Sequence, residues 1–132
     1  MWIEYGRVFD ALSADPAVRA IVLSAAGDRA FTAGLDLMSA DALTKDATLD
    51  PARTAHGLRR HIKEFQDSIG AVERCEKPVI AVVHGIAFGL AIDIATCADV
   101  RICSADVKFS VKEVDIGTVS AFPVYSSVGL GR

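Results

Sequence analysis

No stretch of this chain is apolar for long enough to cross a bilayer. The longest candidate, VIAVVHGIAFGLAI from Val79 to Ile92, stops short of the ~20 residues a span needs and is interrupted by His84 and two glycines, so it reads as core. Charge of one sign is also scarce: the net charge is -3 and the pI about 5.5, which provides no basic surface for nucleic acid or anionic membrane. The three cysteines, Cys75, Cys97 and Cys103, form no CxxC pair and have no histidine nearby at metal-ligand spacing. They read as reduced, buried thiols, with no metal expected. The opening MWIEYGRVFDALSADP has no basic segment followed by an apolar one, so no secretory signal is expected, and the closing GLGR is not a peroxisomal SKL-type signal. Repeats, low-complexity tracts and an interdomain linker are missing too, which leaves one domain as the simplest account.

What is present is a soluble, globular balance, 52% hydrophobic and 23% charged. Ile3, Val8, Phe9 and Leu12 fall on one side of a helix that Asp15-Pro16 ends. AIVLSAAG is a short β-branched run stopped by Gly27, hence a buried strand. DRAFTAGLDLMSADAL is broken by Gly34, with a short helix from Met38, and TKDATLDPART reads as a surface loop containing Pro51. In HGLRRHIKEFQDSIGAVERC, Leu58, Ile62, Phe65, Ile69 and Val72 recur at spacings of four and three, one apolar stripe on a helix, with His56 and His61 as flanking surface residues. KPVIAVVHG is a strand suited to a sheet covered on both faces, and LAIDIATCAD and VRICS repeat the helix and strand pattern. Such alternation predicts an α/β layered domain.

Asp93 stands out because it lies among isoleucines and alanines, where a carboxylate costs several kcal/mol unless it is paired or titrates. Three segments could build a site around it. FTAGLD, Phe31 to Asp36, has small residues at Thr32, Ala33 and Gly34 that let backbone N–H groups face a ligand. HGIAFGLAID exposes backbone at Gly85, Gly89 and Ala91 just before a helix N-terminus, whose free N–H groups favour developing negative charge. KFSVKEVDIG carries Glu113 and Asp115 beyond a strand. Taken singly, these fit tight turns and a solvated acidic face. Together, two N–H sources and carboxylates from separate segments make an oxyanion hole and an acid/base pair.

VLSAAGDRAFTAGLDL, KPVIAVVHGIAFGLAIDIATCADVRICS and FSVKEVDIG follow, in order, the pattern of the crotonase (enoyl-CoA hydratase/isomerase) superfamily, across most of Ala20 to Gly117. Asp93, where hydratases carry Glu, makes the chain most similar to the delta-3,5-delta-2,4-dienoyl-CoA isomerases within it. The resemblance implies a ββα spiral core and an acyl-CoA thioester substrate in fatty acid β-oxidation, with enoyl-CoA hydration as the alternative activity. It implies N–H donors at Ala33 and Leu90, the second usually Gly in the family, and substrate-binding positions at Gly34, Asp36 and Gly89. Glu113 would be the base that removes the proton beside the thioester, and Asp93 an active-site acid. No cofactor is implied, because coenzyme A is part of the substrate. Peroxisomes or mitochondria are implied as the location, and a trimer or hexamer as the assembly.

Beyond VKEVDIG the resemblance stops. The isomerases place a further acid where this chain has Ala121, and residues 118–132 form a divergent tail after a partial acyl-CoA domain spanning 1–117. The core is therefore expected to be incomplete and to lack the C-terminal helical trimerisation region. The tail reads as either an altered product or a functional short form. A fragment that binds acyl-CoA without turnover, or pairs with full-length subunits, is the non-enzymatic expectation.

Overall fold

A computed structural model describes residues 1–34, 36 and 50–116. The short helix expected from Met38, Ala121 and the tail expected over 118–132 lie outside the described residues. Helix α1 (Trp2–Ala14) leads into β1 (Ile21–Leu23) and β2 (Ala30–Thr32); α2 (Pro51–Ile69) then precedes β3 (Val79–Val83), β4 (Ile86–Phe88), α3 (Leu90–Cys97), β5 (Val100–Cys103), β6 (Lys108–Ser110) and a 3-10 turn (Glu113–Ile116).

The strands form two parallel three-stranded sheets, ordered β1-β3-β5 and β2-β4-β6. Each strand pair therefore turns a corner from one sheet into the other, and a helix returns the chain, the expected ββα spiral. Two of these strands escaped the sequence reading. β2 and β4 are three residues each and abut glycine-rich turns, so FTAG and IAFG read only as turns. The expected surface loop through Pro51 ends earlier: Pro51 begins α2, because Asp50 caps it, accepting from the Ala52 and Arg53 N–H groups at 3.0 and 3.1 Å.

The core lies where α1 and α2 meet the inner face of the first sheet and α3. Val79, Ala81 and Val83 alternate inward along β3 and are fully buried, with Phe9, Ile69 and Val72 against them. The buried stripe of α1 is Trp2, Tyr5, Phe9 and Leu12, rotated from the expected one, and Ile3 and Val8 stand half-exposed. Spacing alone could not choose between the two faces, because both are apolar. His61 is not purely a surface residue: Trp2 meets it edge-on at 5.4 Å and meets Phe65 at 5.6 Å. Cys97 is buried as expected, but Cys75 is half-buried and Cys103, on edge strand β5, is exposed. On the outer face of the first sheet, where Val22, Ile80 and Val100 lie in register, Val22, Val100 and Ile102 are exposed, so among the described residues that sheet is not covered on both faces. No helix among the described residues is long and apolar enough to cross a membrane.

Asp99 ties the start of β3 to the start of β5. Its carboxylate accepts from the Val79 N–H at 2.8 Å, while its own N–H donates to the Val79 carbonyl at 3.0 Å. Asp99→Ala is expected to lower unfolding free energy by about 1–2 kcal/mol in a urea titration, with Asp99→Asn losing less than half of that, because a charged acceptor gives way to a neutral one.

Candidate active site

The second sheet assembles the site. β2 delivers Thr32, Ala33 and Gly34; β4, its neighbour, delivers Gly89 and the start of α3; β6, on the other side of β4, delivers Glu113. The Thr32 hydroxyl accepts from the Gly34 N–H at 3.2 Å, so Gly34 serves the site by its lack of a side chain. A methyl there would lie 3.2 Å from the Phe88 carbonyl and 3.7 Å from the Leu90 nitrogen. The Ala33-Gly34 turn thus sits against the N-terminus of α3, as an oxyanion hole between Ala33 and Leu90 requires. Leu90 is the first residue of α3, and the first N–H groups of a helix have no acceptor inside it. Its side chain packs against the core, which leaves the turn side to the backbone.

Glu113 reaches the same point from the opposite strand. The Ser110 carbonyl accepts from the Gly89 N–H at 2.9 Å, which draws the 3-10 turn over Gly89. A methyl on Gly89, whose φ is 56°, would stand 3.0 Å from Glu113 Oε1. Glu113 Oε2 is buried with no hydrogen-bond partner among the described residues. Asp115, its neighbour in sequence, is exposed and pairs with Lys112 at 2.6 Å, the solvated role open to it. Asp36 is exposed, two residues beyond Gly34.

Asp93 is only 3% exposed and lies in the first turn of α3, where the helix dipole favours negative charge. One turn further on, Cys97 shares its buried side. Burial first, then the Glu73 and Asp93 charges, push the Cys97 thiol from 9.0 up to about 12. Burial, and after it Cys97, push the Tyr5 phenol up as well. Neither Tyr5 nor Cys97 carries a signal in the sequence that marks this effect, because it joins segments far apart in the chain. The Tyr5 hydroxyl is buried without a hydrogen-bond partner among the described residues, at a cost of about 1–3 kcal/mol.

The chain belongs to the enoyl-CoA hydratase/isomerase family, whose model matches residues 1–128. It is 40% identical over 121 residues to the peroxisomal delta(3,5)-delta(2,4)-dienoyl-CoA isomerase of Arabidopsis thaliana, with 90% of this chain and 43% of that protein aligned. It is 44% identical over 117 residues to the human mitochondrial delta(3,5)-delta(2,4)-dienoyl-CoA isomerase, covering 88% of this chain and 35% of that one. The crystal structure of an enoyl-CoA hydratase/carnithine racemase from Magnetospirillum magneticum superposes with a TM-score of 0.81 at 27% identity, over 97% of this chain and 45% of that one. The chain thus spans less than half the length of these relatives.

Two outcomes test the site's construction. Gly89→Ala combines a backbone conformation that side chains resist with a methyl against Glu113, and should cost about 1–3 kcal/mol in urea unfolding. Below pH 9 the Cys97 thiol is protonated in both folded and unfolded chains; above it the unfolded chain loses a proton that the fold retains. Stability should therefore fall as pH rises from 9.0 toward about 12. Cys97→Ala should flatten that fall in urea titrations at successive pH values, and an unchanged slope would remove Cys97 from the account.

Proposed function

We propose that this chain carries the catalytic segments of a 3,5-dienoyl-CoA to 2,4-dienoyl-CoA isomerase. The observation that carries the reading is the convergence on one spot of the Ala33-Gly34 turn, the α3 N-terminus and a Glu113 carboxylate with one oxygen that has no partner among the described residues. Identity of 40% and 44% to two dienoyl-CoA isomerases supports the choice of substrate.

In this reaction the thioester oxygen lies between the Ala33 and Leu90 N–H groups. Glu113 removes a proton from the carbon beside the thioester, and the pair of electrons moves into a dienolate whose charge rests on that oxygen. Both double bonds then shift toward the thioester, and a proton is added at the far end of the former diene. Asp93 is the acid assigned to exchanging or steering that second proton. The thioester is itself the electron sink, so coenzyme A enters as part of the substrate and no further cofactor is required. Two relatives named peroxisomal and mitochondrial support one of those compartments as the site of action.

Enoyl-CoA hydration uses the same two carboxylates, and a crotonyl-CoA hydratase of Syntrophomonas wolfei is 33% identical over 120 residues. The experiment is turnover of a 3,5-dienoyl-CoA by the purified chain, followed by ultraviolet absorbance as the diene comes into conjugation with the thioester. Glu113→Gln is expected to slow it on the order of a hundredfold or more. Equal rates for chain and variant would overturn the assignment of the base. A hydroxyacyl product from an enoyl-CoA would favour the hydratase. Binding without turnover by a folded sample would leave an acyl-CoA binding or assembly fragment.

A further inference from the structure

The turn that carries Glu113 is closed on itself twice. The Asp115 N–H donates to the Lys112 carbonyl at 3.1 Å, and the Lys112 ammonium meets the Asp115 carboxylate at 2.6 Å, so residues flanking Glu113 are joined through backbone and side chain alike. The same ammonium stands 5.7 Å from the centre of the Phe88 ring. Phe88 lies opposite Ser110 in the pairing of β4 with β6, and its carbonyl is 3.2 Å from where a methyl on Gly34 would stand. One cation therefore reaches both parts that must stay aligned: the turn bearing the carboxylate, and the strand end against which the Ala33-Gly34 turn is set. The bond from the Gly89 N–H to the Ser110 carbonyl fixes where β6 ends, but Glu113 lies three residues further on. Among the described residues that stretch has little else to lean on, since β6 is an edge strand and Val111 and Val114 are exposed.

We propose that Lys112 is a positioning residue for Glu113, its charge holding the 3-10 turn to the end of β4 and so fixing the carboxylate over Gly89. The inference rests on reading Glu113 as the base of the acyl site. A half-exposed ion pair on its own is worth little, because solvent screens it and two side chains must be ordered to make it. Here the backbone bond already places Asp115, and a single ordering of the Lys112 side chain serves both the carboxylate and the aromatic ring. Small gains of this kind matter at a base, whose proton transfer falls steeply when it is misplaced.

The test is amide hydrogen exchange, read residue by residue by NMR, in the parent, Lys112→Met, Lys112→Arg and Asp115→Asn. Methionine keeps most of the stem and removes the charge, whereas arginine keeps the charge and stacks on aromatic rings. Lys112→Met should speed exchange of the Gly89 and Asp115 N–H groups about three- to fivefold, and Lys112→Arg should restore the parent rates. The Ile86 N–H, which donates to the Arg29 carbonyl, should exchange at one rate in all four proteins. Asp115→Asn should speed Gly89 by a smaller factor, since the aromatic contact remains, and added salt should mimic Lys112→Met in the parent alone. Unchanged Gly89 exchange in folded Lys112→Met overturns the proposal, as does faster exchange at Gly89 and Ile86 alike, which is general loosening. Where the chain turns over a 3,5-dienoyl-CoA, kcat should fall by about the same factor with KM constant. A level kcat beside quickened exchange also overturns the assignment, because the turn then does not aim the base. Exchange needs no turnover, so absent isomerase activity would sink the proposed function and leave the clamp to be decided by exchange.

Discussion

The parallel pairing of β4 with β2 on one side and β6 on the other is the constraint on which the site depends. β4 is only three residues long, Ile86–Phe88, yet its register decides what meets at its end. Thr32 opposite Ala87 sets the Ala33-Gly34 turn beside the α3 N-terminus, and Phe88 opposite Ser110 sets Glu113 over Gly89. Side chains alternate along a strand, so a slip of one residue would turn Phe88 and its neighbours to the other face and part the three pieces. Helix α3 adds direction, since its first N–H groups and its dipole point at the place where two strands have brought backbone and carboxylate.

Burial then divides the two acids. Asp93 sits buried in the first turn of α3, one turn from a thiol that stays neutral to high pH. Glu113 has a buried oxygen without a partner among the described residues but hangs from a short turn beyond an edge strand. A low local dielectric amplifies any dipole or charge near a buried carboxyl, which a solvated acid would feel far less. The same burial makes a neutral neighbour such as Cys97 less disruptive than a second charge.

The layered α/β alternation and the helix ending at Ile69 were legible in the chain, because their signals are local, but of its expected stripe Leu58 and Ile62 are exposed and Val72 lies beyond the helix. Asp93 in an apolar helix was itself a readable anomaly. What could not be read was where short pieces pair. Strands β2 and β4 gain their definition from neighbours, since three residues beside glycines carry too little pattern of their own. The buried face of α1 was misassigned because Ile3 and Val8 compete with Trp2 and Tyr5, and only contact with α2, through Trp2 against His61 and Phe65, decides between them. Leu90 where the family usually has glycine looks costly in sequence, but the fold turns its side chain into the core and spends only its N–H at the turn.

Anchorage is uneven across the site. The Gly34 turn and α3 are held from the interior, whereas β6 is an edge strand whose Phe109, and beyond it Val111 and Val114, are open to solvent. An apolar cleft of about 280 Å³ lies alongside, lined by Val83, Ile92, Thr96, Ile102 and Phe109. What fixes Glu113 locally is a small set of contacts: the Gly89 N–H to Ser110, Lys112 placed 5.7 Å from the Phe88 ring centre, and the Lys112–Asp115 pair. Exposed contacts of the last two kinds contribute only a few tenths to about 1 kcal/mol each. The backbone bond from Gly89 therefore carries most of the alignment, which makes the glycine at the N-terminus of α3 both the floor under the Glu113 carboxylate and the tether that keeps it there.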